Sequence, residues 1–133
     1  MKITAYYMEV KENGVVYSGR KIQIENREEA FAALLGGEIK VHILPDDMVL
    51  CERKNADKTK KLNRVYLKDG LIQQVFFGSL LLVKQQEEKW VSLTQKEIEK
   101  SQQYIKPAFD LQGNLFLPEE NGSYSLKNSL KSQ

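Results

Sequence analysis

Few side chains in this chain are of the kinds that run a reaction: there is one histidine, His42, and one cysteine, Cys51. A histidine general base needs an oriented partner and a nucleophile within reach. His42 stands beside Lys40 on the polar side of an alternating stretch, and reads as a structural or solvated ring. One His and one Cys leave a zinc site short of soft ligands. Asp46-Asp47 is half of a carboxylate pair for acid–base work or Mg²⁺, yet adjacent acids after Pro45 are turn formers. Cys51 follows three apolar residues and reads as a buried, inert thiol; only if exposed would Arg53 and Lys54 activate it. Gly36-Gly37 follows a helix rather than opening one, so its amides are not placed as a phosphate cradle. No catalytic residue, metal or cofactor is assigned, and the expectation is a protein that is not an enzyme.

Charge is more informative. The formal net charge is +2, too low for a globally basic nucleic-acid binder. Its distribution is uneven: residues 51–70 carry 7 basic and 3 acidic side chains, whereas residues 71–133 carry 7 of each. Arg53, Lys54, Lys58, Lys60, Lys61 and Arg64 form the basic stretch. It reads either as a solvated loop or as a contact surface for phosphates or for an acidic protein patch. Interleaved aromatics that stack bases are nearly absent, Tyr66 being the one close by. Asn63-Arg64 differs from its neighbours because it lies between Leu62 and Val65, where a strand begins. An arginine there needs a partner. It either holds the base of the loop or points its guanidinium, with Asn63, into a cleft for an anionic ligand.

The elements that position these residues follow from local pattern. Residues 2–10 have strand composition, Asn13-Gly14 is a hairpin signal and residues 15–17 the return. Residues 21–24 alternate as a further strand. Asn26 with Glu29 predicts a capped helix over 27–35, with Ala30, Phe31, Leu34 and Leu35 on one face and Gly36 closing it. Residues 38–44 alternate, with Ile39, Val41 and Ile43 on the buried face, and Met48 to Cys51 (48–51) form the partner strand. Residues 52–61 read as a mobile loop or long hairpin connection. Strands are expected at 65–67, 71–77 and 79–83, with Gly78 as a bulge or close approach. Thr94 and Glu97 form a capping box for a second helix, running to about Ile105 and stopping before Pro107. Leu115-Phe116-Leu117 is expected as an edge strand.

The 133 residues suit one domain with its own core. The fold class is α+β: a mostly antiparallel sheet of about six to seven strands with two helices packed on it. One sheet face is expected under the helices and the other partly wet. The domain is placed at 1–117, and 118–133 is a polar tail, expected to be flexible. The longest apolar run, 75–83, is broken by Gly78 and Ser79, so no membrane span is expected. The N-terminal residues enter a strand pattern without a leader, and with one unpaired cysteine this fits a cytoplasmic protein.

Phe31-Ala32-Ala33-Leu34-Leu35-Gly36-Gly37-Glu38-Ile39, then Leu62-Asn63-Arg64, then Phe77-Gly78, then Ser92-Leu93-Thr94 together make a broader pattern. Over residues 20–106 it resembles a family of small domains of unknown function from phages, plasmids and conjugative elements, mainly of Gram-positive bacteria. The chain departs from that pattern at 52–61, where the family has a shorter, acidic, Gly-containing turn, and after Phe109, where no counterpart matches. The resemblance carries no enzymatic activity. It implies a mobile-element origin, in which small proteins blunt host defence by stoichiometric binding. The expected function is therefore counter-defence, as an anti-CRISPR inhibitor of a Cas nuclease or its guide RNA, through the basic stretch. The alternative is a module that sequesters a nucleotide signal in a cleft near Arg64. Oligomeric state stays open.

Overall fold

The computed structural model describes residues 1–10, 18–111, 114–118 and 124–129, with the segments from 109 onward described by backbone alone. The Asn13-Gly14 hairpin and the strand at 15–17 lie outside the described residues. Among the described residues there are three antiparallel sheets and two α-helices, an α+β architecture. The largest sheet runs β2 (Arg20–Glu25), β1 (Lys2–Met8), β7 (Leu80–Gln86), β4 (Met48–Arg53), β3 (Ile39–Ile43), with β8 (Lys89–Val91) on β7. A second sheet is β6 (Leu71–Phe77), β5 (Leu62–Lys68), β9 (Ile105–Pro107), and a third is β10 (Phe109–Leu111), β11 (Asn114–Pro118), β12 (Tyr124–Ser129). The largest sheet has six strands, as expected, and the remaining described strands form two further sheets of three. Leu115-Phe116-Leu117 lies in the middle strand of the third sheet, not at an edge.

Both faces of the large sheet are covered, which corrects the expectation of a wet face. The helix α1 (Glu28–Leu35) buries Phe31 and Leu35 against Ile3, Ala5, Val49, Cys51, Leu81 and Val83. On the other face Met8, Leu50, Leu80 and Leu82 meet Phe76 of the second sheet, Ile105, and Ile98 of α2 (Gln95–Ser101). This explains why the central strands read as continuous apolar runs: Met48 to Cys51 in β4 and Leu80 to Val83 in β7 are buried at every position.

The helix ends follow different logics. Arg27, not Asn26, is the N-cap of α1, and no side chain caps it. The helix is instead closed at its C-terminus by Gly36 at φ 89°. A Cβ on Gly37 would lie 3.3 Å from Arg53 Cδ, so the second glycine admits the arginine stem. The helix α2 has the expected capping box: Thr94 Oγ1 accepts from the Glu97 amide at 3.2 Å, and Glu97 Oε1 from the Thr94 amide at 2.9 Å. It stops at Ser101, short of Ile105, because Ile105 is drawn into β9 opposite Tyr66 and fully buried. The Lys84 ammonium bonds Glu97 Oε2. Burial works to raise the Glu97 pKa, but Lys84 and Thr94 outweigh it and hold the carboxyl below the ordinary glutamate value. The resulting stabilisation is present above the unfolded-state pKa and is lost as pH falls through the lower folded value. Thr94→Ala is expected to cost about 1 kcal/mol, read as a lower urea midpoint with an unchanged m-value.

In the edge strand β3, Ile39 packs against the helix-side core as expected, but burial further along departs from the alternation. Val41 is 43% and Ile43 74% exposed, while His42 is 7% exposed. Among the described residues no helix is long and apolar enough to cross a membrane.

Candidate ligand cleft and lysine turn

The connection after β4 is no hairpin, because β4 and β5 belong to different sheets. It is an ordered turn. A 3-10 helix, Ala56–Thr59, is bracketed by Asn55 at φ 62° and Lys60 at φ 58°. Thr59 Oγ1 donates to the Ala56 carbonyl at 2.6 Å and accepts from the Lys61 amide at 3.2 Å. Buried Ala56 would stand 3.5 Å from a Cβ on Gly78, and the Gly78 amide donates to the Lys61 carbonyl at 2.8 Å. Gly78, at φ 75°, is therefore the close approach that anchors this turn.

The basic residues fall into three groups. Lys58 and Lys60 are exposed and Lys61 half-buried, and none of the three ion-pairs with any described residue. Lys54 is exposed and bonds Glu38 at 3.0 Å, while Arg53 lies half-buried along Gly37. Arg64 is 2% exposed and belongs to no contact surface. It donates from Nη1 to the Asn63 side-chain oxygen at 2.6 Å, and the Asn63 amide nitrogen donates to the Met8 carbonyl at 2.9 Å and the Gly78 carbonyl at 2.8 Å. Of the two readings of Asn63-Arg64, the structure places the pair as an internal tie between the sheets and the turn. The anionic-ligand cleft expected at Arg64 is corrected accordingly.

A cleft does exist next to the lysine turn. Its volume is about 560 Å³, and it opens between β3, β4, the 3-10 turn and β6. Exposed Lys40, Lys54, Asn55 and Asp57 stand at its mouth. Half-buried Gln74, Val75 and Phe77 form the wall, and buried His42 and Glu52 the floor. His42 Nε2 lies 2.9 Å from Glu52 Oε1, and the Gln74 amide nitrogen lies 2.7 Å from His42 Nδ1. Glu52 Oε2 accepts from the Phe77 amide at 2.7 Å. Nε2 thus faces the Glu52 carboxylate and Nδ1 the Gln74 side-chain amide. The ring packs edge-on against Phe76 at 5.0 Å. Both ring nitrogens are engaged, so His42 is a structural hub joining two sheets, and not a solvated ring. Sequence reasoning missed Glu52, Gln74 and Phe77 as site residues. The one local signal was Glu52 closing an otherwise apolar strand.

The remaining candidates are structural. Asp46 and Asp47 take φ 61° and 64°, a tight turn between β3 and β4. Among the described residues no group of three His, Cys, Asp or Glu side chains is placed to hold a metal. Cys51 is fully buried, and desolvation, with the Glu28 charge adding to it, pushes its thiol up to about 12. A thiol reagent at pH 8 is expected to leave Cys51 unmodified in the folded protein and to label it fully in denaturant; rapid labelling under native conditions would contradict this burial.

A family model described as "Domain of unknown function (DUF3846)" matches residues 4–106. The match begins within β1, takes in both helices and the rest of the large sheet, and ends within β9 of the second sheet, before the third sheet. No curated protein and no solved structure matches the chain.

Proposed function

Since the chain belongs to the DUF3846 family of domains of unknown function, we propose a function from its site: a mobile-element counter-defence protein that binds RNA stoichiometrically, as an anti-CRISPR acting on the guide RNA of a Cas nuclease. One observation carries this reading. Lys58, Lys60 and Lys61, with no ion pair to any described residue, are held on an ordered turn rather than a floppy loop. Cations without an ion pair, carried on an ordered backbone, are suited to phosphates, because little backbone freedom is lost on contact. The adjoining cleft supplies what the linear sequence lacked, an aromatic side chain, Phe77, beside the cations. The mobile-element setting comes from the resemblance, and the RNA-binding role from the charges.

The test is a cleavage assay with a purified type II nuclease, its guide RNA and target DNA. The reading expects cleavage to fall in proportion to added protein and to end near one equivalent. It also expects rescue by excess free guide RNA. Undiminished cleavage at a large molar excess would sink the anti-CRISPR role. Inhibition that free guide RNA does not relieve would move the contact to the nuclease itself.

A further inference from the structure

We propose that the cleft between β3, β4 and β6 seats one nucleotide, its base in the cleft and its phosphate at the mouth. Three features of the cleft argue for this ligand class. Its volume, about 560 Å³, lies within the range of about 300–1,000 Å³ seen for small-ligand sites. Its wall combines an apolar ring, Phe77, with a side-chain amide. Gln74 spends one N–H on His42 Nδ1 and, among the described residues, keeps its second N–H and its carbonyl uncommitted. An adjacent donor and acceptor match the edge of a nucleobase, and a ring beside them gives its face something to stack on.

The mouth has the complementary charges. Lys40 is exposed and pairs with no described residue, and Lys54 is held only by an exposed contact to Glu38, which costs little to exchange for a phosphate. Asp57 stands at the same mouth as an acceptor for a ribose hydroxyl. The floor is preorganised, because Glu52 and Gln74 hold the His42 ring from both sides. The lysine turn lines the same cleft through Lys54, Asn55 and Asp57. A strand whose phosphates follow Lys58 to Lys61 can therefore place one base in it. The inference rests on the RNA reading only for the source of the nucleotide, a strand or a free nucleotide signal.

The single histidine makes the test direct. The His42 ring resonances in a long-range ¹H–¹⁵N spectrum of the full chain report on the cleft floor alone. The probes are AMP, GMP, CMP and UMP, a mixed-sequence 12-mer single-stranded RNA, and inorganic phosphate. The expected result is a saturable shift of the His42 signals with nucleotides that phosphate does not reproduce. Lys40→Glu, an exposed change that spares the core, should weaken it about tenfold. A 12-mer far tighter than any mononucleotide identifies a strand as the source. A mononucleotide as tight as the 12-mer supports the cleft but makes the source a free nucleotide, and the guide-RNA reading then fails. RNA that binds by anisotropy without moving His42 overturns the cleft and leaves the lysine turn standing. A phosphate shift equal to the nucleotide shift overturns the base-binding claim, and binding of no probe overturns both.

Discussion

Reversing Lys60 and Lys61 to Glu is expected to weaken single-stranded RNA binding on the order of 100-fold at moderate salt, with the fold unchanged. In the proposed complex each lysine would neutralise a phosphate and release a counterion, and each reversal would replace that attraction with repulsion. Neither side chain pairs with a described residue, so no partner charge is stranded by the change. Lys60 sits at φ 58°, where an unbranched Glu meets the same backbone cost as Lys. The backbone bonds that hold the turn, from the Lys60 amide to the Asp57 carbonyl and from the Gly78 amide to the Lys61 carbonyl, are untouched. Affinity is read by fluorescence anisotropy and folding by thermal melting. The Lys60→Arg, Lys61→Arg double variant should keep its affinity, because only the charge is needed at a phosphate. Full affinity in the Glu variant, with an unchanged melting temperature, would remove the turn from the site.

Asn63→Ala, at the start of β5, is expected to be strongly destabilising, by about 3 kcal/mol. The Asn63 side chain satisfies the Met8 and Gly78 carbonyls and receives the Arg64 guanidinium; the Met8 and Arg64 bonds are buried and the Gly78 bond is part-buried. Alanine removes the amide donor from the Met8 and Gly78 carbonyls and one acceptor from Arg64, which keeps its bond to the Asn63 backbone carbonyl at 3.3 Å. Domain stabilities are commonly about 5–15 kcal/mol, so the variant should be partly unfolded near physiological temperature. Urea denaturation measures the loss, and a change below about 1 kcal/mol would show that the network is dispensable. The same variant should also weaken RNA binding through the turn, since Gly78 ties both β5 and the Lys61 carbonyl.

The features legible in the sequence were those written locally. Thr94 and Glu97 sit three residues apart and cap α2 as their spacing predicts. Gly36 closes α1, and the 48–51 and 80–83 runs are central strands. Features that depend on distant partners were not legible. Alternation in 39–43 argued that Ile39, Val41 and Ile43 face inward. Ile39 does pack inward, but Phe76 and Glu52 bury His42 on the other face, and Val41 and Ile43 are left exposed at the sheet edge. Asn26 had the right chemistry for a cap, but its amide donates to the Met1 carbonyl and the helix starts after Arg27. Asn63-Arg64 stood out by its apolar flanks, yet only the packed structure decides between tie and ligand site. The cleft was invisible, because its residues come from β3, β4, the turn and β6, and no local spacing joins His42 to Gln74 or Glu52 to Phe77.

The central claim is stoichiometric binding of RNA by the lysine turn. A titration of labelled single-stranded guide RNA with the full chain, followed by anisotropy at several salt concentrations, tests it most directly. The account predicts saturation at one protein per binding site, and a log–log salt slope of about −2 from three lysines on a single strand. Absence of binding at low salt, or an affinity that does not change with salt, would contradict it.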